Sequence, residues 1–277
     1  MTYEFANWVG RQETAVDILE AARSRALLAT LGRPDDLKTG DCLPLLHHWL
    51  YFWDVMPPDR LGPDGHPKRG KFLPPVALPR RMWAGSRLSF HAPLIVGETI
   101  RRVSTIRKVE TKTGRTGTLV FVTVGHETSG AMGLAVTEEQ DIVYREAPPP
   151  GASPQVSEPD NEAFDWRQTA EANSVLLFRY SALTLNGHRI HYDQDYTRNT
   201  EGYPGLVVQG PLQAQLLIDL AGDHMQVPIA GFTFRGLSPA TDRAPLDVRG
   251  AKRPGGAAMW TVQEGRRCMT AEVRGGA

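Results

Sequence analysis

Two imidazoles, a carboxamide, guanidinium groups, two phenols and a carboxylate crowd the stretch Phe178-Arg179-Tyr180-Ser181-Ala182-Leu183-Thr184-Leu185-Asn186-Gly187-His188-Arg189-Ile190-His191-Tyr192-Asp193. Histidine is the side chain suited to carrying protons near neutral pH, and a carboxamide or carboxylate a few residues away can hold a water in line for it. His191 is therefore the first candidate for proton transfer and Asn186 for orienting water or substrate. An amide does not titrate near pH 7, so the proton falls to His191, alone or shared with His188 or Asp193. A metal cluster on the same turn lacks a further strong ligand set, and no metal is expected.

A second piece follows at Tyr203-Pro204-Gly205-Leu206-Val207-Val208-Gln209-Gly210-Pro211-Leu212, leading into QAQLLIDLA. Leu212, Leu216, Leu217 and Leu220 form an apolar stripe at helical spacing, and Pro211 suits a first helical turn, where its missing N–H costs nothing. The Gly210 amide would then sit at the positive end of that helix, able to donate to a developing thioester enolate oxygen. The alternative is a glycine that merely lets the backbone enter the helix. Together the two pieces offer a proton-transfer group and an oxyanion site.

These pieces need elements to hold them. Residues 13–31 predict a helix, with Val16, Leu19, Ala22, Ala26 and Ala29 at helical spacing and Gly32-Arg33-Pro34 stopping it. The run 43–55, LPLLHHWLYFWDV, is apolar enough for a mostly buried helix, in which Trp49, Phe52 and Trp53 are core residues, and Pro57-Pro58 ends it. Residues 87–91, 99–112, 118–127 and 134–145 then show the β-branched content and Gly-rich breaks of antiparallel strands. An apolar strand at 174–178, the polar turn, the 212–220 helix and strands at 229–237, 246–252, 257–264 and 267–274 repeat that order. Two copies of one α+β unit are expected: a double unit, each an antiparallel sheet around a central helix. EAPPPGASPQVSEPDNEAF reads as a semi-rigid connector, dividing the chain into units at 1–147 and 166–277 with a linker at 148–165.

The bulk properties exclude several roles. With 31 basic and 31 acidic residues in 277, no global field draws the chain to nucleic acid or an anionic membrane, so an anionic ligand must meet a local patch. No run approaches the length of an apolar membrane span, and the first residues do not read as an export signal, so a soluble cytoplasmic protein is expected. Cys42 and Cys268 lie far apart and suggest neither a disulfide framework nor a thiolate zinc site.

The second half resembles the MaoC-like hydratase branch of the hot-dog superfamily, nearest to the type-2 hydroxyacyl-thioester dehydratases, a group that includes mesaconyl-C4-CoA hydratases. That motif carries a catalytic Asp, Asn two residues on, the catalytic His five after the Asp, and a Gly-rich turn before the central helix. The resemblance puts His191 on the catalytic His, Asn186 on the Asp, His188 on the Asn and Gly210 on the oxyanion glycine, with Gln209 where the usual histidine stands. HHWLYF, LGPDGHPKRGKFLPP and LPRRMWAGS resemble the amino-terminal unit of the same proteins, so the likeness spans nearly the whole chain.

It implies a double hot-dog fold, with the carboxy-terminal unit supplying His191, Asn186 and Gly210 and the other shaping the acyl pocket. Substrate contacts are expected from His188, Tyr180, Arg189, Gln209, Arg80 and Arg81, the last two as candidates for coenzyme A phosphates. The implied reaction is reversible hydration of an enoyl thioester, on a short branched C5 dicarboxylyl-CoA such as mesaconyl-C4-CoA or itaconyl-CoA. Coenzyme A enters only as part of the substrate, an acyl-carrier thioester is the other carrier, and a homodimer is a prior. The rivals are a 3-hydroxyacyl-thioester dehydratase of fatty-acid synthesis, a hot-dog thioesterase and a non-catalytic acyl-thioester-binding subunit.

Overall fold

The protein is described from a computed structural model, covering residues 5–114, 117–147 and 159–276. Among the described residues ten antiparallel strands form one continuous sheet: β1 (Gln12–Ile18), β2 (Arg80–Phe90), β3 (Thr99–Gly114), β4 (Gly117–Gly130) and β5 (Gly133–Arg145), then β6 (Trp166–Ala170), β7 (Ile229–Gly236), β8 (Leu246–Arg253), β9 (Gly256–Gln263) and β10 (Arg266–Gly275). Their spatial order is β1-β3-β4-β5-β2-β7-β10-β9-β8-β6. Read outward from the β2–β7 seam, both halves have the same connectivity, so each is one hot-dog unit and the chain is a double hot-dog. Rungs from Gly85↔Arg235 to Ser89↔Gly231 join the halves there.

The strands at 99–145 and 229–274 lie where β-branched content puts them, while β2 begins seven residues before the expected 87–91. Three segments depart from expectation. The 13–31 segment is not one helix: 12–18 is the edge strand β1, paired with β3 along its whole length, and only α1 (Ala21–Thr30) is helical. An available sheet edge outcompetes a weak helical stripe whose Val16 stays 63% exposed. The 43–55 run is buried but not a helix. Leu46 and Phe52 adopt left-handed backbone, leaving a single 3-10 turn at His47–Leu50, while Leu46, Leu50 and Tyr51 enter the core.

Residues 174–178 are the start of a helix, α2 (Ser174–Leu183), rather than a strand; Asn173 caps it by accepting from the Val175 and Leu176 N–H groups. After α2 come a 3-10 turn at Arg189–His191, α3 (Gln194–Asn199) and α4 (Gly210–His224). α4 lies across the carboxy-terminal strands and buries Leu212, Leu216, Leu217, Ile218 and Leu220. Most of the 148–165 connector lies outside the described residues, and none of the described helices is long and apolar enough to cross a membrane.

Candidate active site

His191 ends the 3-10 turn, 7% exposed, its Nδ1 2.7 Å from the Val207 carbonyl. A carbonyl only accepts, so Nδ1 carries the proton and Nε2 keeps its lone pair. Burial drives the imidazole down to about 4 against the opposing pull of that hydrogen bond, so His191 is a neutral base at pH 7. Val207 N–H donates to the Ile190 carbonyl (2.9 Å), locking the turn to the segment that runs into α4 three residues later.

Gly210 is the first residue of α4, whose leading N–H groups have no carbonyl within the helix to meet. A Cβ built on Gly210 would come no nearer than 3.8 Å to Met269 Cε or the Trp83 carbonyl, and the residue does not need a left-handed backbone. Packing therefore does not demand glycine here, since those contacts are of ordinary van der Waals length. Gln209, buried at 1% exposure, donates to the Leu177 carbonyl and Ser181 Oγ, each 2.9 Å away, and so ties the head of α4 to α2.

The amino-terminal half brings two residues that the sequence left unassigned. The 61–67 loop carries Asp64 and His66 onto the His188 turn, with the His66 and His188 ring centroids 4.2 Å apart and those of His188 and His191 5.4 Å apart, edge-on. The docking is backbone against backbone. A Cβ on Gly65 would fall 1.9 Å from the Gly187 carbonyl oxygen, and one on Gly187 2.6 Å from the Gly65 oxygen, so both positions require glycine. Arg189 clasps the loop: its N–H donates to the Asp64 carbonyl (2.9 Å) and its guanidinium to the Pro63 carbonyl (3.1 Å), while Asp193 holds the other side of the guanidinium at 2.7 Å.

His66 Nδ1 meets Asp64 Oδ2 at 3.1 Å. Burial alone would raise the Asp64 carboxyl, but the His66 hydrogen bond and charge outweigh it and hold it well below the usual carboxylate range. Burial lowers His66 despite Asp64, and His188 falls to about 2 through burial and then its neighbours His66 and His191. Three imidazoles and one carboxylate thus share the pocket, the carboxylate ionised and the His188 and His191 rings neutral at pH 7. Ligand atoms of Asp64, His66 and His188 lie within 4.8 Å of one another, a spacing that would also suit a divalent cation and that the turn's own sequence did not announce.

The other expected contacts have other work. Asn186 Oδ1 accepts from the His188 N–H at 3.1 Å, shaping the turn as asparagine commonly does. Tyr180 is 2% exposed within the core of α2. Arg80 pairs with Glu201 at 3.0 Å and lies over the Tyr203 ring, riveting β2 to the loop before α4. Arg81 is half-buried beside the histidines. No motif spacing could have named Asp64 and His66, since more than 120 residues separate them from His188; the only local signal was the GPDGHP turn itself.

A double hot-dog sheet with this turn and helix defines the MaoC-like dehydratase class. Among solved structures, a MaoC-like dehydratase superposes with a TM-score of 0.72 at 13% identity over 97% of this chain and 98% of that one. HtdX of Mycobacterium tuberculosis gives 0.67 at 18% identity, covering 96% and 100%. At such identities the likeness is one of fold. The chain belongs to the hydroxyacyl-thioester dehydratase type 2 family, whose profile matches residues 46–242, and it is a hydro-lyase. Mesaconyl-C(4)-CoA hydratase of Chloroflexus aurantiacus is 48% identical over 252 residues, 90% of this chain and 89% of that protein.

Proposed function

We propose that this hydro-lyase adds water reversibly across the α,β double bond of a short branched dicarboxylyl-CoA, mesaconyl-C4-CoA being the best candidate. The observation that carries the chemistry is the neutral, buried His191 with Nδ1 committed to the Val207 carbonyl and Nε2 open. The 48% identity to a mesaconyl-C(4)-CoA hydratase supports the acyl group.

In hydration, His191 Nε2 takes a proton from water as the oxygen bonds to the β-carbon, and the π electrons move onto the thioester. The Gly210 N–H, at the positive end of α4, receives the enolate oxygen. The proton then returns to the α-carbon as the enolate collapses. Asp64 supplies, through His66, the carboxylate that the motif carries where Asn186 stands, and the His66–His188 pair holds the water against His191. Both halves contribute reacting groups.

Loss of enoyl-thioester absorbance with mesaconyl-C4-CoA and crotonyl-CoA, for wild type beside His191→Ala, tests this reading. Turnover that collapses in the variant supports it. Release of free coenzyme A without a hydroxyacyl product would instead indicate a thioesterase, and tight binding without turnover an acyl-thioester-binding subunit.

A further inference from the structure

Between the concave face of the amino-terminal sheet and the 54–73 segment lies a cavity of about 580 Å³, walled by Arg81, Gln140 and Ile142 on one side and Pro67, Arg69 and Phe72 on the other. Most of its cations are already engaged or exposed. Arg69 donates to the carbonyls of Val76 (2.5 Å), Leu78 and Pro79, and Lys71 pairs with Asp54 at 3.0 Å in solvent. Arg60 and Lys68 are exposed. Arg81 differs: it is half-buried, and no carboxylate pairs with it among the described residues.

Beside Arg81, across the β2–β5 ladder, stands Tyr144. Its hydroxyl is fully buried and lies against the Arg81 guanidinium, with no carboxylate beside the two. The Arg69 guanidinium sits over the same ring, 5.4 Å from its centroid. Arg69 is spent on backbone carbonyls, so Arg81 keeps a half-buried charge with a phenol and no carboxylate beside it, where an anion would be its natural partner. The Arg81 charge also acts on both His66 and His188, which sets this corner at the margin of the reacting histidines.

We propose that Arg81 and the Tyr144 hydroxyl form a subsite for a free carboxylate on the acyl group, so that the enzyme selects dicarboxylyl over monocarboxylyl thioesters. The assignment rests on the hydratase reading. In a mesaconyl-C4 thioester the carboxylate is bonded to the β-carbon, the atom that receives water. Holding it there fixes that carbon over the histidines, and the guanidinium offsets a negative charge that would otherwise oppose attack. The Tyr144 phenol donates the second hydrogen bond.

The test compares substrates that differ only at this group: mesaconyl-C4-CoA against 3-methylcrotonyl-CoA for turnover, and the inert C4 thioester of methylsuccinate against isovaleryl-CoA for binding by calorimetry. Arg81→Gln is expected to lower kcat/KM and binding for the carboxylate-bearing member by about 50-fold, with the methyl analogue changed about twofold or less. Tyr144→Phe, which keeps the ring in the core, is expected to cost about fivefold on the same member only. Equal losses on both members would assign Arg81 to a coenzyme A phosphate or to structure, and no loss on either would remove the subsite; each overturns the proposal. Should the wild type hydrate neither substrate, the hydratase reading fails, and the binding pair still decides: the subsite stands if methylsuccinyl-CoA is preferred and Arg81→Gln abolishes the preference, and falls if it is not.

Discussion

The two halves share one strand connectivity and treat their concave faces in opposite ways. In the carboxy-terminal half α4 fills the space with leucines, and the apolar strand residues Met259, Ala271 and Val273 close over it. In the amino-terminal half no helix longer than α1 occurs among the described residues, and the sheet instead carries a polar row in which Ser104, His126 and Glu138 oppose one another across β3, β4 and β5. Glu138 accepts from Ser86 Oγ at 2.6 Å and Trp49 Nε1 at 3.0 Å; although burial pushes its carboxyl up, His48, His126 and Ser86 hold it down to about 2. One strand topology thus serves two different ends. The half that keeps the helix keeps its amide terminus and the His191 turn. The half without it has a cavity, and has loop length to spare for carrying Asp64 and His66 across to its partner.

The comparison breaks most sharply at His191. His191→Ala is expected to cut kcat by about 10³-fold or more in the enoyl-thioester absorbance assay, with a near-native far-UV circular dichroism spectrum. If the amino-terminal half only shaped a pocket, Asp64→Asn and His66→Gln would alter KM alone; the composite site predicts that each lowers kcat, by about 10²-fold. Gly210→Ala has room for its methyl in the folded protein, so stability should hold while kcat falls about 30-fold, because the added carbon keeps the thioester from the helix terminus.

Stability against pH follows from the buried histidines. His47, His188 and His191 have folded values of about 3, 2 and 4, all below the unfolded value near 6.5. Between those limits the unfolded chain binds protons that the folded one refuses. Their contribution is therefore complete above about pH 6.5 and is lost progressively as pH falls through 4 to about 2. Denaturant titrations at pH 7 and pH 5 should show the fall, and His47→Gln, which acts in the amino-terminal half alone, should lessen it by about one proton. The smallest effect is expected for Asn186→Ala, about threefold on kcat, since its Oδ1 is already spent on the His188 N–H. A loss near that of His191→Ala would return Asn186 to the reacting groups.

Much was legible in the residues. β3, β4, β5 and β7 to β10 follow from β-branched runs between glycine breaks, α4 from its leucine stripe behind Pro211, and the candidate turn from the density of imidazoles around His191. What failed was local. Residues 12–18 and 174–178 are short and weakly patterned, so edge pairing with β3 decided one and the Asn173 cap the other. The 43–55 run had the composition of a helix, and left-handed backbone at Leu46 and Phe52 broke it while its side chains still found the core.

The sequence by itself determined the elements whose pattern is periodic and the half of the site that lies within one turn, because contacts between near neighbours are written in spacing. It took the tertiary structure to bring Asp64 and His66 against that turn and to set Arg81 beside Tyr144 with no carboxylate to pair it. Those meetings depend on the β2–β7 seam and on two glycine backbones, Gly65 and Gly187, touching across it. Contacts between residues far apart in the chain leave no period to read, and they form only when folding has repaid the entropy of closing the long loop between them.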